Sequence, residues 1–419
     1  MKRLTTLIIG LMLTGALIAQ DFVEVSYGPS YSRHDFYTLE TDEIQNFSNT
    51  SWDIALTAFD NQDAGIHINE ATASMGTGVE LYLGPSPDFD DPVSVDDLVI
   101  LLFNDDKSWE YGAFNSLRDE GNPLDLGWGD YDPANMKVEG REVFVIKLRN
   151  GQYKKIQITD LTGTTYNMKW ADLDGSNEVQ FSVNKSDYPN ADLILINVGQ
   201  ASVVDAVQPF DLLFTRYVSP LDDGNGGFLD YAVTGVLHGH NIEVARAAGV
   251  DPETVTFEEF QDSLKSRIDV INFDWKEIDL GTFSWIVYED RVYFVKDRQS
   301  KIWKIQFIDF EGSSTGNTIF TKEDLGVISA VNNIKGLEGF KVTPNPASDV
   351  CHLILDLTEP MNLDLNIYDL NGRLVSHQDL NLNQGFVNVA IDIDHLIAGQ
   401  YIISLSSERG VTTSKLIVR

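Results

Sequence analysis

A mainly β protein is predicted, with a duplicated antiparallel body carrying one short helix, followed by a small immunoglobulin-like β-sandwich. Three observations predict it. Short β-branched and aromatic runs bounded by Gly, Asp and Asn recur along the chain. A strand-plus-hairpin motif occurs twice. From Phe340 onward the chain alternates strand-like and turn-like segments to its end.

The duplication is read directly. Val143-Phe144-Val145-Ile146-Lys147-Leu148-Arg149 returns as Val292-Tyr293-Phe294-Val295-Lys296-Asp297-Arg298, and Lys155-Ile156-Gln157-Ile158-Thr159-Asp160 as Lys304-Ile305-Gln306-Phe307-Ile308-Asp309. Both keep one offset of 149 residues (292 against 143, 304 against 155). Asn150-Gly151 turns the first copy and Gln299-Ser300-Lys301 the second, so each is a hairpin. Upstream, Trp52-Asp53-Ile54-Ala55-Leu56-Thr57-Ala58-Phe59 matches Phe210-Asp211-Leu212-Leu213-Phe214-Thr215-Arg216-Tyr217. A repeated unit with a broad apolar face needs its copy to cover that face. The body therefore spans residues 20–335, in halves of about 45–205 and 206–325. Asp53 and Asp211 are expected to satisfy turn or strand-end amides.

Further strands are expected at 79–83, 98–103, 179–183, 193–198 and 233–237. One helix is expected after Asp251-Pro252, where Phe257, Phe260, Leu264 and Ile268 recur at helical spacing. Residues 324–339 form the expected linker.

Composition narrows the function. The 419 residues carry 30 Lys plus Arg against 64 Asp plus Glu, a formal net charge of -34, which excludes nucleic acid as a partner. With 43% hydrophobic residues that acidity is not disorder. One Cys excludes a disulfide framework and a cysteine zinc site. Lys2 and Arg3 followed by an apolar run to Ile18 and Ala19 read as a signal peptide over residues 1–19, and no later stretch is long enough to span a membrane. A secreted or outer-surface location follows, reached through the periplasm.

The C-terminal strands carry Pro344-Asn345-Pro346-Ala347, Tyr368-Asp369-Leu370-Asn371-Gly372-Arg373, Gly399-Gln400-Tyr401 and Lys415-Leu416-Ile417-Val418-Arg419. In that order these marks resemble the type IX secretion system C-terminal sorting domain (type A), here residues 340–419. The resemblance implies an address read by an outer-membrane translocon, with Pro344, Asn345, Pro346, Gly372, Arg373, Gly399 and Lys415 as sorting-signal residues. Cys351 and His352 read as packing positions inside it.

The Trp-Asp and Lys-Ile-Gln segments of the body resemble the HmuY-like family of secreted β proteins, over residues 45 to about 325. That resemblance implies haem as a possible cofactor. This chain departs from the family in its length, its sorting tag and the absence of a lipidated Cys. The family's ligands do not map onto particular positions. His238 and His240 follow the strand 233–237 at i and i+2, a spacing that shares one face of a strand and would point both into a pocket, and His67 follows the first repeat segment; these three are the candidate haem ligands. Met75, Met136 and Met168 are alternative donors. Against this stands the plainer reading, in which His238 and His240 flank a polar turn and meet water.

Calcium is weighed at Asp172-Leu173-Asp174-Gly175-Ser176-Asn177-Glu178 and Asp222-Asp223-Gly224-Asn225-Gly226-Gly227, where oxygen donors crowd around glycines, though hairpin turns use the same residues. Gly312-Ser313-Ser314-Thr315-Gly316 matches a hydrolase nucleophile pattern, but a strand-like segment follows where that chemistry needs a helix. No catalytic residue is assigned and the chain reads as a non-enzyme. The readings rank as an exported HmuY-like protein binding haem or another small ligand, then a surface or matrix protein, then a hydrolase.

Overall fold

The computed structural model describes residues 21–60, 63–71, 78–327, 334, 336–370, 372–407 and 410–419. The expected signal peptide, Met75, Asn371 and part of the expected linker (328–333 and 335) lie outside them. The chain divides into two compact units, Met1–Val327 and Ile328–Arg419. The architecture is mainly β with antiparallel sheets throughout, as expected.

Unit one opens with β1 (Asp21–Ser26), β2 (Arg33–Tyr37) and β3 (Ile44–Ser48). There follow β4 (Ile54–Thr57), β5 (Ile66–Ile68), β6 (Glu80–Leu83), β7 (Leu101–Leu102), β8 (Gly129–Asp132), β9 (Lys137–Gly140), β10 (Phe144–Lys147), β11 (Tyr153–Thr162) and β12 (Thr165–Ala171). Next come β13 (Val179–Asn184), β14 (Leu193–Asn197), β15 (Ser202–Val207), β16 (Leu212–Asp222), β17 (Phe228–His238) and β18 (Glu243–Ala248). The unit closes with β19 (Lys276–Asp279), β20 (Ser284–Val287), β21 (Arg291–Lys296), β22 (Lys301–Phe310) and β23 (Asn317–Val327).

Four of its sheets stack as layers. An outer sheet built on β13-β12-β11-β10-β6-β7 covers an inner sheet β15-β14-β4-β5, and an outer sheet β1-β23-β22-β21-β18 covers an inner sheet β17-β16-β2-β3. Side-chain parity proves the stacking. Ile54, Leu56, Ile194 and Ile196 join Phe144, Ile146, Ile156 and Trp170 in one core. Ala55, Leu193 and Leu195, on the opposite face of the same strands, meet Phe36, Leu213, Tyr217 and Leu237 of the other inner sheet in a second. Tyr37, Leu212 and Phe214 turn the other way, onto Tyr293, Ile305, Phe307 and Phe320. Inner strands buried on both faces cannot alternate apolar with polar, which is why Leu193-Ile194-Leu195-Ile196 and Leu212-Leu213-Phe214 are unbroken apolar runs.

The two copies superpose in their hydrogen bonding. Asp53 N donates to Ile196 O at 2.8 Å while Val198 N donates to Asp53 Oδ2 at 2.8 Å; Asp211 N donates to Tyr37 O at 2.9 Å while Leu39 N donates to Asp211 Oδ2 at 2.7 Å. Asn69 N and Gly239 N donate to the carbonyls of Asp53 and Asp211 respectively. Arg149 and Arg298, equivalent in the hairpin repeat, donate to the carbonyls of Trp52 and Phe210, equivalent in the upstream repeat. Each aspartate therefore clamps a neighbouring strand end, as the sequence reading expected.

The clamps expose how the ring of strands closes. In the first copy β4 pairs with β14 and β12 with β13, both later in the chain. In the second copy the same places are taken by β2 against β16 and β1 against β23. Residues 21–48 thus complete the second copy from the far end of the sequence.

Two sequence expectations fail for identifiable reasons. No α-helix forms over 251–268. Thr256 and Glu259 make a capping box, but only the single 3-10 turns Phe257–Glu259 and Gln261–Ser263 follow. Lys265 then pairs with Val244 on the edge of β18, N to O at 3.0 and 2.9 Å, so its backbone groups bond to a sheet instead of to a helix. Phe257 and Phe260 still pack, on Phe294. The strand expected at 98–103 shrinks to β7, and Val99 is 83% exposed.

Unit two comprises β24 (Leu337–Thr343), β25 (Val350–Leu357), β26 (Met361–Asp369), β27 (Leu374–Leu382), β28 (Gly385–Asp392), β29 (Gly399–Ser407) and β30 (Gly410–Val418). They form the sheets β24-β25-β28 and β27-β26-β29-β30 around a core that includes Cys351, Leu355, Leu363, Ile367, Ile403 and Leu416. Strands alternate apolar-in and polar-out, as one-sided burial requires.

Candidate functional site

A chamber of about 60 Å³ lies between the two inner sheets. Its deep wall carries His34, Phe36, Trp52, Ala55, His67, Asn69, Glu70, Trp109, Leu213 and Tyr217, all buried, while half-buried Asn104, Asp105, Asp106 and Arg216 line the side nearer solvent. The strand registers pair residues of the two copies. Trp52 corresponds to Phe210 through the Asp clamps, His67 (opposite Ala55) to Leu237 (opposite Leu213), and His34 (beside Thr215) to Leu193 (opposite Thr57). At three lining positions, then, one copy is apolar and the other carries a ring nitrogen.

The hydrogen bonds fix the state of these groups. Thr215 Oγ1 donates to Arg216 O, so His34 donates Nδ1–H to Thr215 Oγ1 at 2.7 Å and keeps a lone pair on Nε2. His67 donates Nε2–H to Trp109 O at 2.9 Å and keeps its lone pair on Nδ1. Burial lowers the two imidazoles to about 3 and about 4, so both are neutral. Glu70 accepts from Asn104 N at 2.8 Å and Val218 N at 3.1 Å, yet burial raises it to about 8. Trp52 Nε1 and Tyr217 Oη are buried, each residue at most 7% exposed, and have no hydrogen-bond partner among the described residues. Burial keeps the Tyr217 phenol protonated.

The expected haem ligands are not brought together. His67 lines the chamber. β17 ends at His238, whose ring is wholly buried with Nδ1 3.2 Å from Gly239 O, and the main chain turns before His240. His240 stacks on Phe59 with centroids 4.1 Å apart. The i, i+2 argument needed a continuing strand, and Gly239 N instead donates to Asp211 O in the clamp. Met168 is buried in the first core and Met136 is exposed. A chamber this size falls well short of the roughly 300–1,000 Å³ of pockets that take large ligands, so haem does not fit it.

The other candidate sites resolve into turns. In the Asp172 loop, Lys154, Ser176 and Asn177 donate to the carboxylates; in the Asp222 loop, Gly224, Asn225 and Gly227 amides do. Gly312–Ser314 is a 3-10 turn between β22 and β23, with Ser314 Oγ donating to Glu311 O. Sequence reasoning missed His34, Glu70, Trp109 and Tyr217. Tyr217 lay in a recognised repeat and could have been flagged there; Glu70 has no sequence signal at all.

In unit two the sorting marks converge in part. Asn345 Nδ2 donates to Lys415 O at 2.6 Å and its Oδ1 accepts from Ile417 N at 2.9 Å, while Ala347 N donates to Ile417 O and Ala347 O accepts from Arg419 N, both at 2.9 Å. Pro344 and Pro346 both follow cis peptide bonds in this segment. Gly399 opens β29 opposite Val418. Gly372 and Arg373 lie elsewhere, in the turn after β26, where Gly372 has a φ of 77° and Arg373 pairs with Asp369 at 3.1 Å.

The molecule thus combines a duplicated, layered β body with a small terminal β-sandwich. Residues 341–419 match the family described as secretion system C-terminal sorting domain. That match supports export through the type IX system, to the cell surface or beyond. No curated protein matches the chain. Among solved structures, dimeric latent PorU from Porphyromonas gingivalis aligns at 12% identity over 95% of this chain, with a TM-score of 0.17. The chain spans about a third (34%) of that protein's length, and the score carries no argument about fold. Among the described residues, no helix is long and apolar enough to cross a membrane.

Proposed function

We propose that this chain is a non-catalytic binding protein, delivered to the cell exterior by its sorting domain, whose body takes a ligand smaller than haem. One observation carries the reading: Asp53, Asp211 and His238 are spent on strand ends and core, while the small chamber between the inner sheets is lined by residues with uncommitted donors. The HmuY-like resemblance supplied haem as a cofactor, and neither chamber size nor histidine placement supports it. Absorbance titration with oxidised and reduced haem tests this: the spectrum of free haem is expected, and a saturable Soret band would overturn the reading. Deleting residues 341–419 is expected to leave the body inside the cell envelope, read by fractionation.

A second reading, adhesion to a surface, is favoured by the β16–β17 ribbon. Phe228, Leu229 and Tyr231 are 76%, 60% and 56% exposed there. Loss of attachment on changing all three to Ser would favour it.

A further inference from the structure

We propose that the chamber between the inner sheets is a binding site for an uncharged secondary amide, of which the acetamido arm of an N-acetylhexosamine is the fitting example. This rests on reading the body as a binding module and names the chemistry that module would recognise.

Size comes first. At roughly 10–15 Å³ per water, 60 Å³ accommodates about four to six non-hydrogen atoms. That is one functional group, while the half-buried flank of Asn104, Asp105, Asp106 and Arg216 provides polar partners for the remainder of a larger molecule.

Hydrogen-bond chemistry comes next. Trp52 Nε1–H and Tyr217 O–H are buried donors with nothing to donate to, a state that costs free energy until an acceptor arrives. The neutral rings of His34 and His67 each keep a lone pair after their donor nitrogen is used. Donors and acceptors carried by residues lining one chamber match a group that presents a carbonyl oxygen and an N–H together. Phe36, Ala55, Ile68, Leu213 and Leu237 supply apolar wall for the adjoining methyl.

Charge argues against an anion, which would approach past Asp105 and Asp106 in a protein of net charge -34. A cation would suit those carboxylates but leave the Trp52 and Tyr217 donors without an acceptor. Divergence between the copies points the same way, because Trp52, His34 and His67 stand where the other copy has Phe210, Leu193 and Leu237. Packing alone asks for no ring nitrogen at these places, since the equivalent residue of the opposite copy packs in each case without one.

The test is intrinsic-fluorescence and calorimetric titration of the full-length chain with N-acetylglucosamine, glucosamine and acetate. Saturable binding of N-acetylglucosamine is expected, with none for the other two. Tyr217→Phe and Trp52→Phe are expected to weaken it about tenfold each. Without ligand, Tyr217→Phe should melt at or above the parent temperature, because it removes a buried hydroxyl with no partner among the described residues. No saturable binding, equal binding of glucosamine or acetate, or unchanged affinity in both variants overturns the proposal. The haem and export experiments test the binding-module reading separately, so either can fail alone.

Discussion

Circular permutation is the sharpest perturbation this fold invites. Residues 21–48 supply three strands to the second copy: β1 runs beside β23 with Asp21 opposite Lys322, and β2 runs beside β16. Between them 21–48 bury Val23, Val25, Tyr27, Phe36, Tyr37 and Leu39. At about 1.5–3 kcal/mol per large apolar side chain, their removal forfeits roughly 9–18 kcal/mol, an upper estimate because the unfolded chain already hides some surface. A domain's whole stability is about 5–15 kcal/mol. A body of residues 49–327 is therefore expected not to fold. Moving the same segment to the other end should cost little. Asp21 sits opposite Lys322, and Val327 lies five residues further along, about 17 Å at 3.3 Å per residue. A flexible Gly/Ser linker of roughly ten residues covers that span. The permutant beginning at 49, running to 327 and continuing through the linker into 21–48, should keep the circular-dichroism spectrum and melt within a few degrees of residues 21–327. If the truncated body melts like the parent, or the permutant is unfolded, the closure argument is wrong.

Other outcomes follow from the clamps and the buried acid. Asp53→Ala should cost about 3–5 kcal/mol, because it strands the buried Arg149 guanidinium, 2.8 Å away, without its partner. Asp211→Ala removes an amide acceptor but no ion pair and should cost about 1–3 kcal/mol, both measured by urea denaturation. Glu70 is raised from 4.5 to about 8, so the folded state holds a proton that the unfolded chain has released, and its contribution is whole below pH 4.5 and lost as pH climbs to 8. His34, His67 and His238, lowered to between about 3 and 4, oppose this only below about 6.5. Between pH 6.5 and 8 the Glu70 contribution should thus fall by about 2 kcal/mol, partly offset by Lys276, which burial lowers to about 7 so that its penalty shrinks over the same range. Glu70→Gln should remove the Glu70 part of the slope while adding a constant penalty, since its amide would face one of the N–H groups from which Glu70 now accepts.

Much of the architecture was legible in local pattern. Hairpins at Asn150-Gly151 and Ser300 announce themselves because a positive φ is needed there, 82° at Gly151 and 63° at Ser300. The two aspartates stood out because the same residue headed both copies. The helix at 251–268 misled for the opposite reason: its spacing was real, but an unpaired edge at Val244 offered Lys265 better partners than a helix could. The histidine pair misled likewise, since nothing local to His238-Gly239-His240 shows that Gly239 N belongs to the Asp211 clamp.

Sequence alone determined the repeated strands and hairpins, the duplication and the terminal sorting domain, because each depends on spacing within one segment. Tertiary structure decided the four-layer stack, the closure by residues 21–48 and the chamber. Those depend on which faces meet across long separations: Trp52 and Tyr217 become neighbours of one cavity only when the two inner sheets pack, and no periodicity along the chain encodes that contact.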